Sequence, residues 1–177
     1  DSQGKPEIGI ASVSRLASVD KVPLFITGWS PVVAAVAPIA NRNKMLELSI
    51  GANSPRISKL GEYVYTIYPL ADVDITLLAK YAFDKIGARK AASIFINDES
   101  GIYGAQVFRD AFIKLGGEMV AFEAYEPNAT DMTGTLLKVR AGNPQVVHLH
   151  GNVADTPIAI GQMRQLGRFH AFTRCLV

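Results

Sequence analysis

The sequence predicts an α/β fold built from parallel βαβ units, with helices on both faces of the sheets. Three observations predict it. Apolar runs of strand length alternate with amphipathic stretches of helix length. Two of those runs, LFIT and ELSI, end in Gly and then Ser-Pro before the next amphipathic stretch. Gly87, Gly116-Gly117 and Gly167 stand where helical periodicity stops.

Each element follows from its own pattern. Pro6 to Val19 carries Ile8, Ala11, Val13, Leu16 and Val19 on a loose apolar face, which predicts a helix. VPLFIT (22–27) reads as a strand and Pro31 to Ala40 as a Val- and Ala-rich helix. MLELSI (45–50) is a strand, Pro55 to Leu60 a short helix, and YVYTIY (63–68) alternates with period two until Pro69. A helix follows over Asp72 to Ile86, then strand ASIFIN (92–97) and helix Gly101 to Leu115. Strand EMVAFEAY (118–125), helix Thr130 to Arg140, strand QVVHLH (145–150) and helix Asp155 to Leu166 complete the series. Tyr68-Pro69-Leu70, where a strand ends without a tight turn, marks the expected crossing between sub-domains, which divides the chain at 1–68 and 69–177.

Composition excludes several classes. The 177 residues are 49% apolar and 19% charged, which suits a buried core and argues against disorder. The net charge is +2 and only Arg89-Lys90 place two basic residues side by side, so there is no electrostatic stripe for nucleic acid. No apolar run approaches the roughly 18 residues of a membrane span. The single cysteine, Cys175, excludes a disulfide framework and a cysteine zinc site. Asp1 is not a natural start, so a processed or trimmed N-terminus is expected.

The two Gly…Ser-Pro junctions are the first candidate site. Ser caps helices and Pro is preorganised for the first helical position. In a parallel sheet such junctions lie at the carboxyl edge, where open α/β sheets bind ligands. Ser30 and Ser54, with the amides around Ala52 to Ser54, would together form a cradle for an anion, and a carboxylate is the obvious guest. The plainer reading is that Ser-Pro simply starts helices. A third junction, INDESGIYGAQ, offers Asn97, Asp98 and Ser100 for turn and cap chemistry. Its Tyr103, beside Gly104, could pack on a ligand or on its own sheet.

Catalytic patterns are weak. His148 and His150 share one face of a strand, but the only further histidine is His170, so no metal site is expected. Gly28-Trp29-Ser30-Pro31-Val32 lacks the second glycine of a nucleophile elbow, and no phosphate-binding loop is present. No enzyme and no cofactor is expected.

The order of motifs is informative. DSQGKP, VPLFITGWSPVVAAVAP, LSIGANSP, YVYTIYPLAD, INDESGIYGAQVFRDAFIKLGGEMV, YEPNATDMTGTLLKVRAGNPQVVHLHG and GQMRQLG together resemble the type I periplasmic solute-binding proteins. The nearest likeness is to the branched-chain amino-acid receptors of ABC transporters. The resemblance runs from Asp1 to about Gly167. It implies two Rossmann-like lobes joined by a three-strand hinge, ligand trapped between them, and a periplasmic or extracellular location. It also implies a membrane permease as partner.

The family's carboxylate-holding turn, usually P-G-A-T-S-P, reads Ile50-Gly51-Ala52-Asn53-Ser54-Pro55, with Asn53 in place of Thr. Its G-P-x-S-S loop is Gly28-Trp29-Ser30-Pro31; Ser30 survives, and Trp29 could stack on an aromatic or apolar ligand. The Y-G of the second lobe is Tyr103-Gly104. Two departures leave the ligand open between an amino acid and an aromatic acid. The aromatic position of the second lobe falls at Asn152, and the tail RFHAFTRCLV lacks the Gly-Ser-Asp/Glu turn that holds an α-ammonium. By the same resemblance both lobes are partial, the first strand and helix being missing, so pairing with a second copy would cover open sheet. A sensor domain of the same fold is the first rival and a doubly wound enzyme the second.

Overall fold

The structure is a computed structural model that describes residues 2–167 and the backbone of residues 172–173. His170, Cys175 and most of the RFHAFTRCLV tail lie outside the described residues. The chain divides into two compact units, Asp1–Ala71 and Asp72–Val177.

The first unit holds a three-stranded parallel sheet in the order β1-β2-β3, with β1 Leu24–Thr27, β2 Leu46–Ser49 and β3 Val64–Thr66. Helix α1 (Pro6–Arg15) runs on as a wide π turn (Leu16–Asp20), and α2 (Ser30–Asn43) crosses from β1 to β2. A five-residue 3-10 turn, Pro55–Lys59, lies between β2 and β3. Period two governs the strands: Phe25 and Thr27 point inward and Leu24 and Ile26 outward. Phe25 packs with Val13, Val32 and Val36, so α1 and α2 share one face of the sheet. Val33, Ala37, Ile57 and Val64 extend that layer. On the opposite face Ile26, Leu48 and Tyr65 fall in one register row, and Ile26 and Tyr65 are exposed.

Helix α3 (Ala71–Asp84) leads into the second unit, which builds a parallel sheet in the order β5-β4-β6-β7. Its strands are β4 Lys90–Ile96, β5 Glu118–Tyr125, β6 Val146–His150 and β7 Phe172–Thr173. Here helices cover both faces. Ile94, Ile96, Val147 and Leu149 pack against α5 (Thr133–Ala141) and α6 (Asp155–Leu166) through Leu136, Val139, Ala159 and Met163. Ser93, Phe95, His148 and His150 face the other way, where Phe108 of α4 (Glu99–Lys114) stacks on His148 at 4.4 Å. Near-continuous burial of β4 and β6 is what a doubly covered parallel sheet requires.

Candidate functional site

The site begins with register. Thr27 of β1 lies beside Ser49 of β2, and the Ile50 N–H donates to the Thr27 carbonyl at 3.0 Å. The loops leaving these two strands therefore emerge side by side at the carboxyl edge. One is Gly28-Trp29, leading into α2, and the other is Gly51 to Ser54.

Ser30 ties the loops together. Its hydroxyl is buried and accepts the Asn53 N–H at 3.2 Å and the Ser54 N–H at 3.1 Å. Of the amides expected to line the cradle, those of Asn53 and Ser54 are therefore already taken by Ser30. The first residue of α2 reaches across and takes two of them. The Ser54 hydroxyl in turn accepts the Arg56 N–H at 3.4 Å, and the Asn53 carbonyl accepts the Ala71 N–H at 2.8 Å. Among the described residues, the amides of Gly51 and Ala52 make no hydrogen bond. A hydroxyl offers two acceptor lone pairs and one proton, so Ser30, already accepting twice, keeps its proton to donate. Gly51 is exposed and Ala52 buried. No atom lies within 4 Å of where a side chain would begin at Gly28 or Gly51.

Trp29 caps α2 with φ 65° and ψ 118°, a conformation that non-glycine residues rarely adopt. Its carbonyl accepts the Val32 and Val33 N–H groups, both at 3.0 Å, which fixes the turn. The indole is 47% exposed.

The second unit gathers its polar groups at the carboxyl ends of β4 and β6. Asp98 caps α4 by accepting the Gly101 N–H at 2.8 Å. Burial, and then the nearby Asp155, hold its carboxyl above the usual range. Tyr103 sits half-buried on α4, and Asn152 half-buried after β6, where its carbonyl accepts the Thr156 N–H at 3.0 Å. Gly104 is required by His150: a side chain there would begin 2.5 Å from the imidazole Cε1. His150 Nε2 shares a hydrogen bond with the Ser100 hydroxyl at 3.0 Å, and burial pulls its pKa down to about 4. His148 meets the Ser93 hydroxyl at 3.2 Å, and burial holds it well below the usual range. Burial keeps both histidines neutral, on a strand flanked by β4 and β7. Among the described residues no three His, Cys, Asp or Glu side chains gather as a metal site would need.

Ser30 is thus brought together with the loop of Gly51 to Ser54, and Trp29 directly precedes Ser30 in the chain. Tyr103 and Asn152 belong to the second unit. Sequence reasoning missed Glu47, which is fully buried on β2; Asp155 is buried at the start of α6 with Oδ2 unpartnered among the described residues. A charged residue at an inward strand position was the available signal for Glu47.

Residues 1–176 match the periplasmic binding protein family over essentially the whole chain. The chain belongs to that family. Its periplasmic binding protein relatives include an amino acid binding protein of Pseudomonas aeruginosa, 22% identical over 94% of this chain and 45% of that protein. A leucine-binding protein of Thermotoga maritima superposes with TM-score 0.92 at 20% identity, over 97% of this chain and 49% of that one. A solute-binding protein of an ABC transporter from Rhodopseudomonas palustris, in complex with 3,4-dihydroxybenzoic acid, gives TM-score 0.85 at 21% identity over 96% and 47%. The chain therefore spans about half the length of the relatives it matches. The fold is that of a type I periplasmic binding protein, incomplete relative to theirs, and the family is extracytoplasmic. No helix among the described residues is long and apolar enough to cross a membrane.

Proposed function

We propose that this chain is the ligand-binding part of an extracytoplasmic receptor of an ABC transporter, not an enzyme. It captures a small carboxylate, either an amino acid or an aromatic acid, between two lobes and delivers it to a membrane permease. One observation carries the reading. The Ser30 hydroxyl clamps the two strand-to-helix loops while its own proton and the Gly51 and Ala52 amides remain as donors. The Ser30 proton and those two amides suit a carboxylate, whose two oxygens accept several hydrogen bonds. Asn53 and Ser54 shape that loop through their bonds to Ser30, and Trp29 directly precedes Ser30. Tyr103 and Asn152 are the contribution of the second lobe. The relatives named above support both ligand classes, one binding leucine and one holding a dihydroxybenzoate.

Calorimetric titration with leucine, isoleucine, benzoate and 4-hydroxybenzoate tests the reading. At least one of them should bind and should raise the melting temperature with concentration. Ser30→Ala removes both the donor and the clamp, and is expected to weaken that binding at least about tenfold. Silence from every carboxylate, or full affinity in Ser30→Ala, would overturn it.

A further inference from the structure

Glu47 is a buried carboxyl that no charged side chain among the described residues offsets. In its register row it lies between Phe25 of β1 and Val64 of β3, and Val64 packs with Val33 and Ala37 of α2. The charged side chains of the surrounding elements are all exposed: Glu7 and Arg15 of α1, Arg42 of α2, Arg56 and Lys59 of the 3-10 turn, and Glu62 before β3. Tyr63 and Tyr65 flank Val64 and so alternate to the outward side. What Glu47 does hold is the end of β1, because the Thr27 hydroxyl donates to its Oε1 at 2.9 Å. Ser49 lies opposite Thr27 and two residues beyond Glu47, on the same inward side. The Ser49 hydroxyl and Glu47 Oε2 are buried and have no partner among the described residues.

These three polar groups underlie the candidate site. Thr27 leads into Gly28, and Ser49 into Ile50 and Gly51; the Ile50 N–H bonded to the Thr27 carbonyl holds the two exits together. Ala52, whose amide is one of the proposed donors, packs in the same buried cluster as Val64, the neighbour of Glu47 in its row. Gly51 follows Glu47 by four residues, a separation on the order of 10 Å.

We propose that Glu47 makes ligand capture proton-linked: an anion seated on the Ser30, Gly51 and Ala52 donors draws a proton from the buffer onto the carboxyl beneath them. The proposal rests on the carboxylate reading above. Two negative charges about 10 Å apart repel far more through a buried layer than through water. A bound carboxylate, ionised at neutral pH, therefore favours the neutral form of Glu47. By reciprocity the ionised form of Glu47 weakens binding by the same factor. Burial already moves this carboxyl up to about 7, so both of its forms are populated where the coupling is read. His148 and His150, held neutral by burial, do not titrate there.

Calorimetric titration with leucine, isoleucine, benzoate and 4-hydroxybenzoate at pH 7, in phosphate and in Tris, tests the coupling. The two buffers differ in ionisation enthalpy, so the difference in binding heat counts the protons exchanged. Whichever ligand binds should take up a fraction of a proton, and its affinity should fall at least about threefold from pH 6 to pH 8. Glu47→Gln keeps an acceptor for Thr27; it should exchange no proton and hold one affinity across that range. Thr27→Val removes the donor that favours the ionised carboxyl, so the fall should move to higher pH. Melts followed by circular dichroism check folding; where one variant unfolds the other decides, and a wild type that takes up no proton overturns the proposal by itself. Uptake that survives Glu47→Gln, or a fall that stays in place in Thr27→Val, overturns it equally, while the receptor reading stands. If no carboxylate binds at pH 6 or pH 8, the receptor reading falls and the coupling falls with it.

Discussion

Glu47 shows how much one side chain can set. It sits on the central strand of the first sheet with no exposed surface. Oε1 accepts the Thr27 hydroxyl at 2.9 Å, and Oε2 has no partner among the described residues. Burial pushes its pKa up from 4.5 to about 7, partly offset by the Thr27 hydrogen bond. In the unfolded chain the carboxyl ionises near its ordinary value, while in the fold ionisation is delayed. Stability is therefore lost as pH rises from 4.5 through about 7, and the deficit is constant above that. The loss attributable to this group is on the order of 3 kcal/mol. Glu47→Gln keeps an acceptor for Thr27 and removes the titration. It should be more stable than the parent at pH 8 and nearly equal to it at pH 4.5, as read by urea unfolding at both pH values. Equal stability at pH 8 would mean that the carboxylate is already solvated or paired. The sequence announced this residue only as a charge inside an alternating strand; what it faces depends on which side α1 and α2 cover.

Elements were far more legible than sites. Short apolar runs located the six longer strands, and β5 matches its expected range of Glu118 to Tyr125 residue for residue. Ends were less legible where tertiary bonds decide them. A helix expected from Thr130 begins as α5 at Thr133. There Met132 N–H donates to Gln162 Oε1 of α6 at 2.8 Å, and Asp131 accepts the Thr133 N–H at 2.9 Å. The helix expected from Gly101 begins at Glu99, because Asp98 rather than Ser100 supplies the cap. The clamp from Ser30 to the second loop was illegible for the same reason: it joins residues 23 and 24 positions apart. Glycine is where the two levels meet. Gly104 lies on α4 against the His150 ring, whereas Gly134 on α5 has open space where a side chain would stand. Gly104→Ala should destabilise the second unit by roughly 1–3 kcal/mol through overpacking. Gly134→Ala should stabilise it by roughly 0.5–1 kcal/mol through helix propensity. Thermal unfolding of the two variants separates them, and a stabilised Gly104→Ala would show that the His150 ring is free to move away.

At the scale of the whole molecule the two sheets differ in cover, and the difference has a consequence. All-parallel sheets are stable when both faces are packed. The second sheet meets that condition. The first has α1 and α2 on one face, and on the other it presents Leu24, Ile26, Tyr65 and Ile67, exposed by 43%, 61%, 57% and 73%. Ile26, Leu48 and Tyr65 share one register row, so these side chains are contiguous rather than scattered. A contiguous apolar face of this kind marks an interaction surface or an aggregation liability. A polypeptide of residues 1–177 on its own should therefore associate with itself. Its apparent mass in sedimentation velocity should exceed that of a 19.1 kDa monomer and rise with concentration. Ile26→Lys combined with Tyr65→Lys places charge on the outward face and leaves the inward rows of Phe25 and Glu47 untouched. That variant should remain monomeric at concentrations where the parent associates. A parent chain that is monomeric and cooperatively folded would show that this face tolerates water, and the proposed pairing with a second copy would lose its physical basis.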